Sequence, residues 1–209
     1  GALVWGRQGI NAYSLGTFEG SVMQLHPTDT RPAIYVESDL YYYTVNINAT
    51  VFASGSEAFY NKGRGDTRLR GTYATGDKYN KYAIELTDGY HGWYDIDADI
   101  NGALHLNCGS VNNSGGILRG RIRTSGTTPD DCAIYIDGGG QHKIDNQIFL
   151  RDGGAYGIKM DTDVSQVEFT GDFNADAGGS YVNFCKVTTG KLIFKGSLGH
   201  TNNRGQGNI

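Results

Sequence analysis

Proline, cysteine, positive charge and long apolar runs are all scarce in this chain. There are only three prolines to make corners, and no sustained helical periodicity runs through the 209 residues to indicate a helical fold. The three cysteines, Cys108, Cys132 and Cys185, are an odd number at irregular spacing. Neither a disulfide framework nor a zinc site is indicated, and they read as reduced packing residues. A net charge of −4 argues against a general nucleic-acid binder, whose phosphate contacts need a basic surface. No run is apolar enough to cross a bilayer as a helix, so no membrane insertion is expected. The phosphate-cradling G-x-x-x-x-G-K-[ST] loop, the G-x-S-x-G elbow and the H-E-x-x-H zinc motif are missing too. No metal or cofactor is expected.

What is abundant is glycine, 32 residues, about twice the usual share. With 38% hydrophobic residues the chain can fill one sizeable core. Many tight corners between short strands, in an all-β fold, fit both numbers.

Internal repeats organise the sequence. One family of segments reads PAIYVE (32–37), EAFYNK (57–62), YAIELT (82–87), GALHLN (102–107), CAIYID (132–137), YGIKMD (156–161) and YVNFCK (181–186), recurring about every 25 residues. A second family keeps step between them: TVNINATV (44–51), RLRGTY (68–73), YDIDADI (94–100), ILRGRIR (117–123), KIDNQIFL (143–150), QVEFTGDF (166–173) and KLIFKGSL (191–198). QGINAY (8–13) and GSVMQL (20–25) supply one weaker turn. Two strands per repeat cannot bury an apolar face alone, whereas stacked copies bury a continuous core. The pattern predicts a single-stranded right-handed parallel β-helix of about eight turns, roughly 38 Å long at parallel-strand spacing. An antiparallel sandwich also expects frequent short strands, but not matched segments at this period.

Alternation along the strands separates the two faces. In the second family Ile47, Leu69, Ile96, Leu118 and Ile144 point inward, with Gly71, Ala98, Gly120 and Asn146 two residues on. Outward stand Arg68 and Arg70, then Asp95, Asp97 and Asp99, then Arg119, Arg121 and Arg123, then Asp145, then Glu168 and Asp172, then Lys195. Aspartates between two arginine rows read as the negative rung of a charge ladder. A calcium loop fits poorly, since Ile100 and Leu106 stand where the turn glycine and bidentate glutamate belong.

The first family presents a different stripe: Tyr35, Tyr60, Glu85, His105, Tyr135 and Lys159. Flat rings beside carboxylate and imidazole groups suit sugars, because a ring covers the apolar face of a pyranose while polar groups bond its hydroxyls. Tyr35, Tyr60, Glu85, His105 and Tyr135 are the candidate carbohydrate-binding residues. An outward tyrosine row is also ordinary sheet chemistry or a subunit contact. Glu85, His105 and Asp137 are weak catalytic candidates as an acid and base. Glycosidase chemistry needs two carboxylates about 5–9 Å apart, which Glu85 with Asp137 or Glu37 would have to supply.

The two-strand repeats, glycine-rich corners, tyrosine-laden outer face and lack of a disulfide pattern together resemble the right-handed β-helix of bacteriophage tailspikes and related polysaccharide-degrading proteins. The resemblance covers residues 8–198 and is one of architecture, with no diagnostic motif that would carry over a catalytic residue. It implies a homotrimer, a bacterial surface polysaccharide as ligand, a place in the virion's tail after assembly in the bacterial cytoplasm, and, if enzymatic, glycoside hydrolase or polysaccharide lyase activity. The alternative is a non-catalytic shaft or adhesin that mainly trimerises. The whole chain, 1–209, reads as a single β-helix domain, with short irregular ends that suggest a segment of a longer protein or ends covered by partner chains.

Overall fold

The computed structural model describes residues 2–6, 9–12, 16–37, 43–77, 80–90, 92–108, 114–125, 129–151, 155–176, 182–200 and 207–208. Among them are eighteen strands and no α-helix, and every strand pairing is parallel. Each strand pairs chiefly with the strand two places along the chain rather than with its neighbour. This places the protein among the parallel β-solenoids, as the repeat required.

Two ladders result. The first contains Ile10–Ala12, Ile34–Val36, Phe59–Asn61, Tyr82–Tyr90, Ala103–Cys108 and Cys132–Ile136. The second contains Ala2–Gly6, Thr17–Gln24, Thr44–Ala53, Asp66–Thr75, Trp93–Asn101, Gly115–Ser125 and Gly140–Arg151. The long strands Tyr156–Phe169 and Val182–Phe194 run through both ladders.

Inward columns form as alternation dictates. Ile34, Phe59, Ile84, Leu104, Ile134 and Ile158 are successive register partners, all buried. On the other ladder Ile47, Leu69, Ile96, Leu118, Ile144 and Phe169 do the same. Each buried aliphatic side chain contributes about 1.5–3 kcal/mol, and the column makes that burial continuous. The cysteines are free, with Cys108 and Cys132 buried in this core. Burial pushes the Cys108 thiol up to about 12.

The column beside Ile47 is built from small residues: Ala49, Gly71, Ala98, Gly120 and Asn146. Gly71 and Gly120 have φ of +99° and +90°, and a Cβ there would fall 2.1 Å and 2.3 Å from the carbonyl oxygens of Ala49 and Ala98. Backbones approach too closely at this corner for a second side chain, which is why glycine alternates with alanine.

One segment departs from the expected register. The repeat pairs residue 182 with Gly157, but the structure sets Tyr156 opposite Asn183 and Ile158 opposite Cys185, two residues further along. Packing explains the shift, because it buries Phe184 against Phe169, Phe173 and Phe194, with ring centroids 4.9–5.3 Å away. An aromatic cluster replaces the aliphatic columns at this end.

Candidate functional site

The stripe read from the first family is one register column. Tyr35 pairs with Tyr60, Tyr60 with Glu85, Glu85 with His105, His105 with Tyr135 and Tyr135 with Lys159. Parallel strands about 4.8 Å apart bring these side chains into ring-stacking range. Tyr35 and Tyr60 stack with centroids 5.4 Å apart and 26° between planes. His105 lies between two tyrosines: Tyr135 at 5.2 Å and 22°, and Tyr82 at 5.0 Å and 32°. The Lys159 ammonium sits 4.9 Å from the centre of the Tyr135 ring, a cation–π contact.

Acidic groups flank this row. His105 Nδ1 is 3.2 Å from Glu85 Oε1, and its Nε2 is 2.9 Å from Asp137 Oδ1. Burial alone would lower the His105 pKa; the hydrogen bonds from the ring to Asp137 and Glu85 outweigh it and hold the value at about 9. The ring is therefore an imidazolium at neutral pH, donating from both nitrogens. Tyr135 donates to Asp161 at 3.3 Å, and Tyr35 donates to Glu37 at 2.8 Å.

Glu85, His105 and Asp137 are thus brought together, and a single imidazole bridges the two carboxylates. Glu37 is not part of that group; its neighbours are Tyr35 and, at 4.0 Å, Lys62. With both nitrogens occupied, the His105 ring has no open position from which to take a substrate proton. What the arrangement offers is a row of partly exposed tyrosines, their faces turned largely on one another, on His105 and on Lys159, beside fixed carboxylate oxygens.

Two members of the cluster escape a reading by alternation. Tyr82, at the edge of its segment, packs on His105 and donates to Asp130. Asp130 lies in the short turn Pro129–Asp131, where it and Asp131 take φ of 57° and 51°. Left-handed backbone outside glycine costs about 1–2 kcal/mol, least for Asp and Asn, and recurs where a side chain is held for a purpose. Here it delivers a carboxylate to Tyr82 and, at 3.7 Å, to Lys159. The two consecutive aspartates after Pro129 are the one sequence signal that marks this turn.

The charge ladder is present on the second ladder, but the contacts of Asp95 run diagonally rather than to its register partners Arg68 and Ile117. Asp95 is the hub, 2.8 Å from Arg70 Nη2 and 2.6 Å from Arg119 Nη2. Asp97 meets Arg119 only at 3.6 Å, and Asp99 binds Arg121 at 3.0 Å. Lys195 reaches Glu168 at 3.1 Å. Arg68, Arg123 and Asp145 lie at their expected positions, yet form no ion pair among the described residues. Two of the three aspartates of YDIDADI, Asp95 and Asp99, therefore form close arginine pairs, and the third, Asp97, meets a guanidinium only at long range. Of the two tryptophans, Trp93 is largely exposed, while the Trp5 side chain lies outside the described residues.

Compared with protein-family models, curated proteins and solved structures, the chain matches none of them. The class defined by the fold is the parallel β-solenoid, an architecture that hosts many functions.

Proposed function

We propose that the Tyr35–Tyr60–Glu85–His105–Tyr135 stripe binds a bacterial surface polysaccharide, as in a phage tailspike-type domain. The observation that carries this reading is the row itself: partly exposed tyrosine rings at strand spacing around the buried His105, with Glu37, Asp137 and Asp161 carboxylates along it. The exposed parts of the tyrosine rings meet sugar C–H surfaces, and the carboxylates accept from hydroxyls. A row repeating every rung suits an extended chain better than a compact ligand. In this reading the domain stands beside two copies of itself in a virion tail, and depolymerisation is a further arm of the proposal.

A second reading has its own support. The row satisfies much of its own hydrogen bonding, with His105 clamped on both sides and Tyr135 bound to Asp161, which is what a structural shaft would show. Affinity electrophoresis against capsular and lipopolysaccharide preparations separates the two. Binding that falls about tenfold or more in Tyr35→Ala/Tyr60→Ala, with circular dichroism unchanged, supports recognition. No binding by the unaltered chain, or loss of a light-scattering trimer without change in binding, favours the shaft. Release of reducing ends or of an unsaturated, ultraviolet-absorbing product decides the enzymatic arm.

A further inference from the structure

A groove opens on the other ladder, where the charge pattern is left incomplete. Outward residues of three neighbouring strands stand there in two register columns, Thr17, Asn46 and Arg68 in one and Glu19, Asn48 and Arg70 in the other. They rim a groove of about 220 Å³. Arg70 is already engaged, donating to the Asp95 carboxylate and to the carbonyls of Asp95 and Leu69. Arg68 faces Asp95 in register, but both Asp95 oxygens are taken, Oδ2 by Arg70 and Oδ1 by Arg119. The Arg68 guanidinium is exposed and has no ion pair or hydrogen bond among the described residues. The same holds for the side-chain polar groups of Thr17, Glu19, Asn46 and Asn48.

Arg70, Arg119 and Arg121 are each spent on an aspartate, whereas five hydrogen-bonding side chains converge on one groove without partners. A guanidinium that forms no ion pair is a planar fork of donors matched to a carboxylate or phosphoryl group. The two asparagine amides supply donors and acceptors for hydroxyls, and Glu19 and Thr17 add acceptors at the far side. Glu19 also limits the charge of the ligand, because a second anionic group would face its carboxylate. The volume is below the roughly 300–1,000 Å³ of drug-sized sites, so one small ring or group is held rather than a chain.

We propose that this groove binds a small hydroxylated ligand bearing a single oxyanion, with Arg68 on the anion and Asn46, Asn48 and Glu19 on the hydroxyls. The site is independent of the aromatic stripe and does not require a polysaccharide to occupy it.

The test follows the side-chain amide NMR signals of Asn46 and Asn48 in the full chain during titration with glucuronate, glucose 6-phosphate and glucose. Saturable shifts with either anionic sugar, absent with glucose, support the site, and which of the two binds identifies the oxyanion as carboxylate or phosphate. Arg68→Gln, an exposed replacement that keeps the fold, is expected to weaken binding about tenfold or more. Asn48→Ala gives a second reading with the charge intact and is expected to weaken both anionic sugars. Equal shifts with glucose, no shift with any of the three, or an unchanged Arg68→Gln titration overturns the proposal. Tyr35→Ala/Tyr60→Ala should leave this titration untouched, so failure here and failure of the stripe are distinguishable.

Discussion

Nε2 of His105 lies 2.9 Å from Asp137 Oδ1, while Nδ1 of the same ring faces Glu85, so the folded chain holds this histidine in its charged form. Its pKa rises from 6.5 to about 9, against the opposing effect of burial. A raised value means that the folded state binds the proton more tightly than the unfolded chain. The stabilisation is fully present below about pH 6.5 and is lost as pH rises through 9. At about 1.4 kcal/mol per unit it amounts to at most about 3 kcal/mol. Thermal melting between pH 6 and 10, with His105 followed by NMR, should show the loss, and Asp137→Asn should move the histidine titration down. An imidazole that titrates near 6.5 in the unaltered chain would contradict the clamp.

His142 should behave in the opposite sense. It is fully enclosed on the second ladder, where Nδ1 is 2.8 Å from the Tyr94 hydroxyl and Nε2 is 3.2 Å from the Gly139 carbonyl oxygen. Burial lowers its pKa to about 4 despite the bond to Gly139. The folded state therefore keeps the ring neutral, with Nε2 donating and Nδ1 accepting from Tyr94. Its contribution is present above about pH 6.5 and is lost as pH falls toward 4. Tyr94→Phe leaves the Nδ1 acceptor unsatisfied and should cost about 1–3 kcal/mol at pH 7, measured by urea unfolding. A cost near zero would mean that the pair does not form.

The two histidines show what can be read from a sequence of this kind and what cannot. Strand alternation and a 25-residue period place His105 in the same column as Tyr135, because both are local counts. They say nothing of Asp130, which joins that column from a turn with left-handed backbone, where no period applies. Nor do they pair Tyr94 with His142, two rungs apart, across a position that is glycine. Gly116 stands between them in register, and a Cβ there would lie 2.7 Å from the Tyr94 ring. The last segment slipped by two residues for a similar reason: Phe184 fills core volume, and alternation carries no information about volume.

The corner glycines are sensitive backbone positions. Gly71→Ala combines a positive φ with a Cβ 2.1 Å from the Ala49 carbonyl oxygen, an overlap that only backbone movement relieves. The expected cost is at least about 2–4 kcal/mol, with Gly120→Ala similar. Gly16→Ala is the control, because nothing lies within 4 Å of its Cβ, and it should change stability by less than about 0.5 kcal/mol. Equal melting temperatures for Gly71→Ala and the unaltered chain would show that the corner yields freely.

Within the charge ladder, geometry ranks the three aspartates of a single strand. Asp95 touches two arginines at 2.8 and 2.6 Å, Asp99 touches one at 3.0 Å, and Asp97 meets only a distant guanidinium at 3.6 Å. All are partly exposed, so each close pair is worth no more than about 1 kcal/mol and is screened by salt. Asp95→Asn should therefore cost about 1–2 kcal/mol in low-salt urea unfolding, Asp99→Asn about half of that, and Asp97→Asn almost nothing. In molar salt the three should converge, because the Debye length falls to about 3 Å. If Asp97→Asn cost as much as Asp95→Asn, the stabilisation would come from the general field of three negative charges between two positive rows. Diagonal pairing onto one hub would then be energetically irrelevant, and Arg68 would belong to the ladder rather than to the groove beside it.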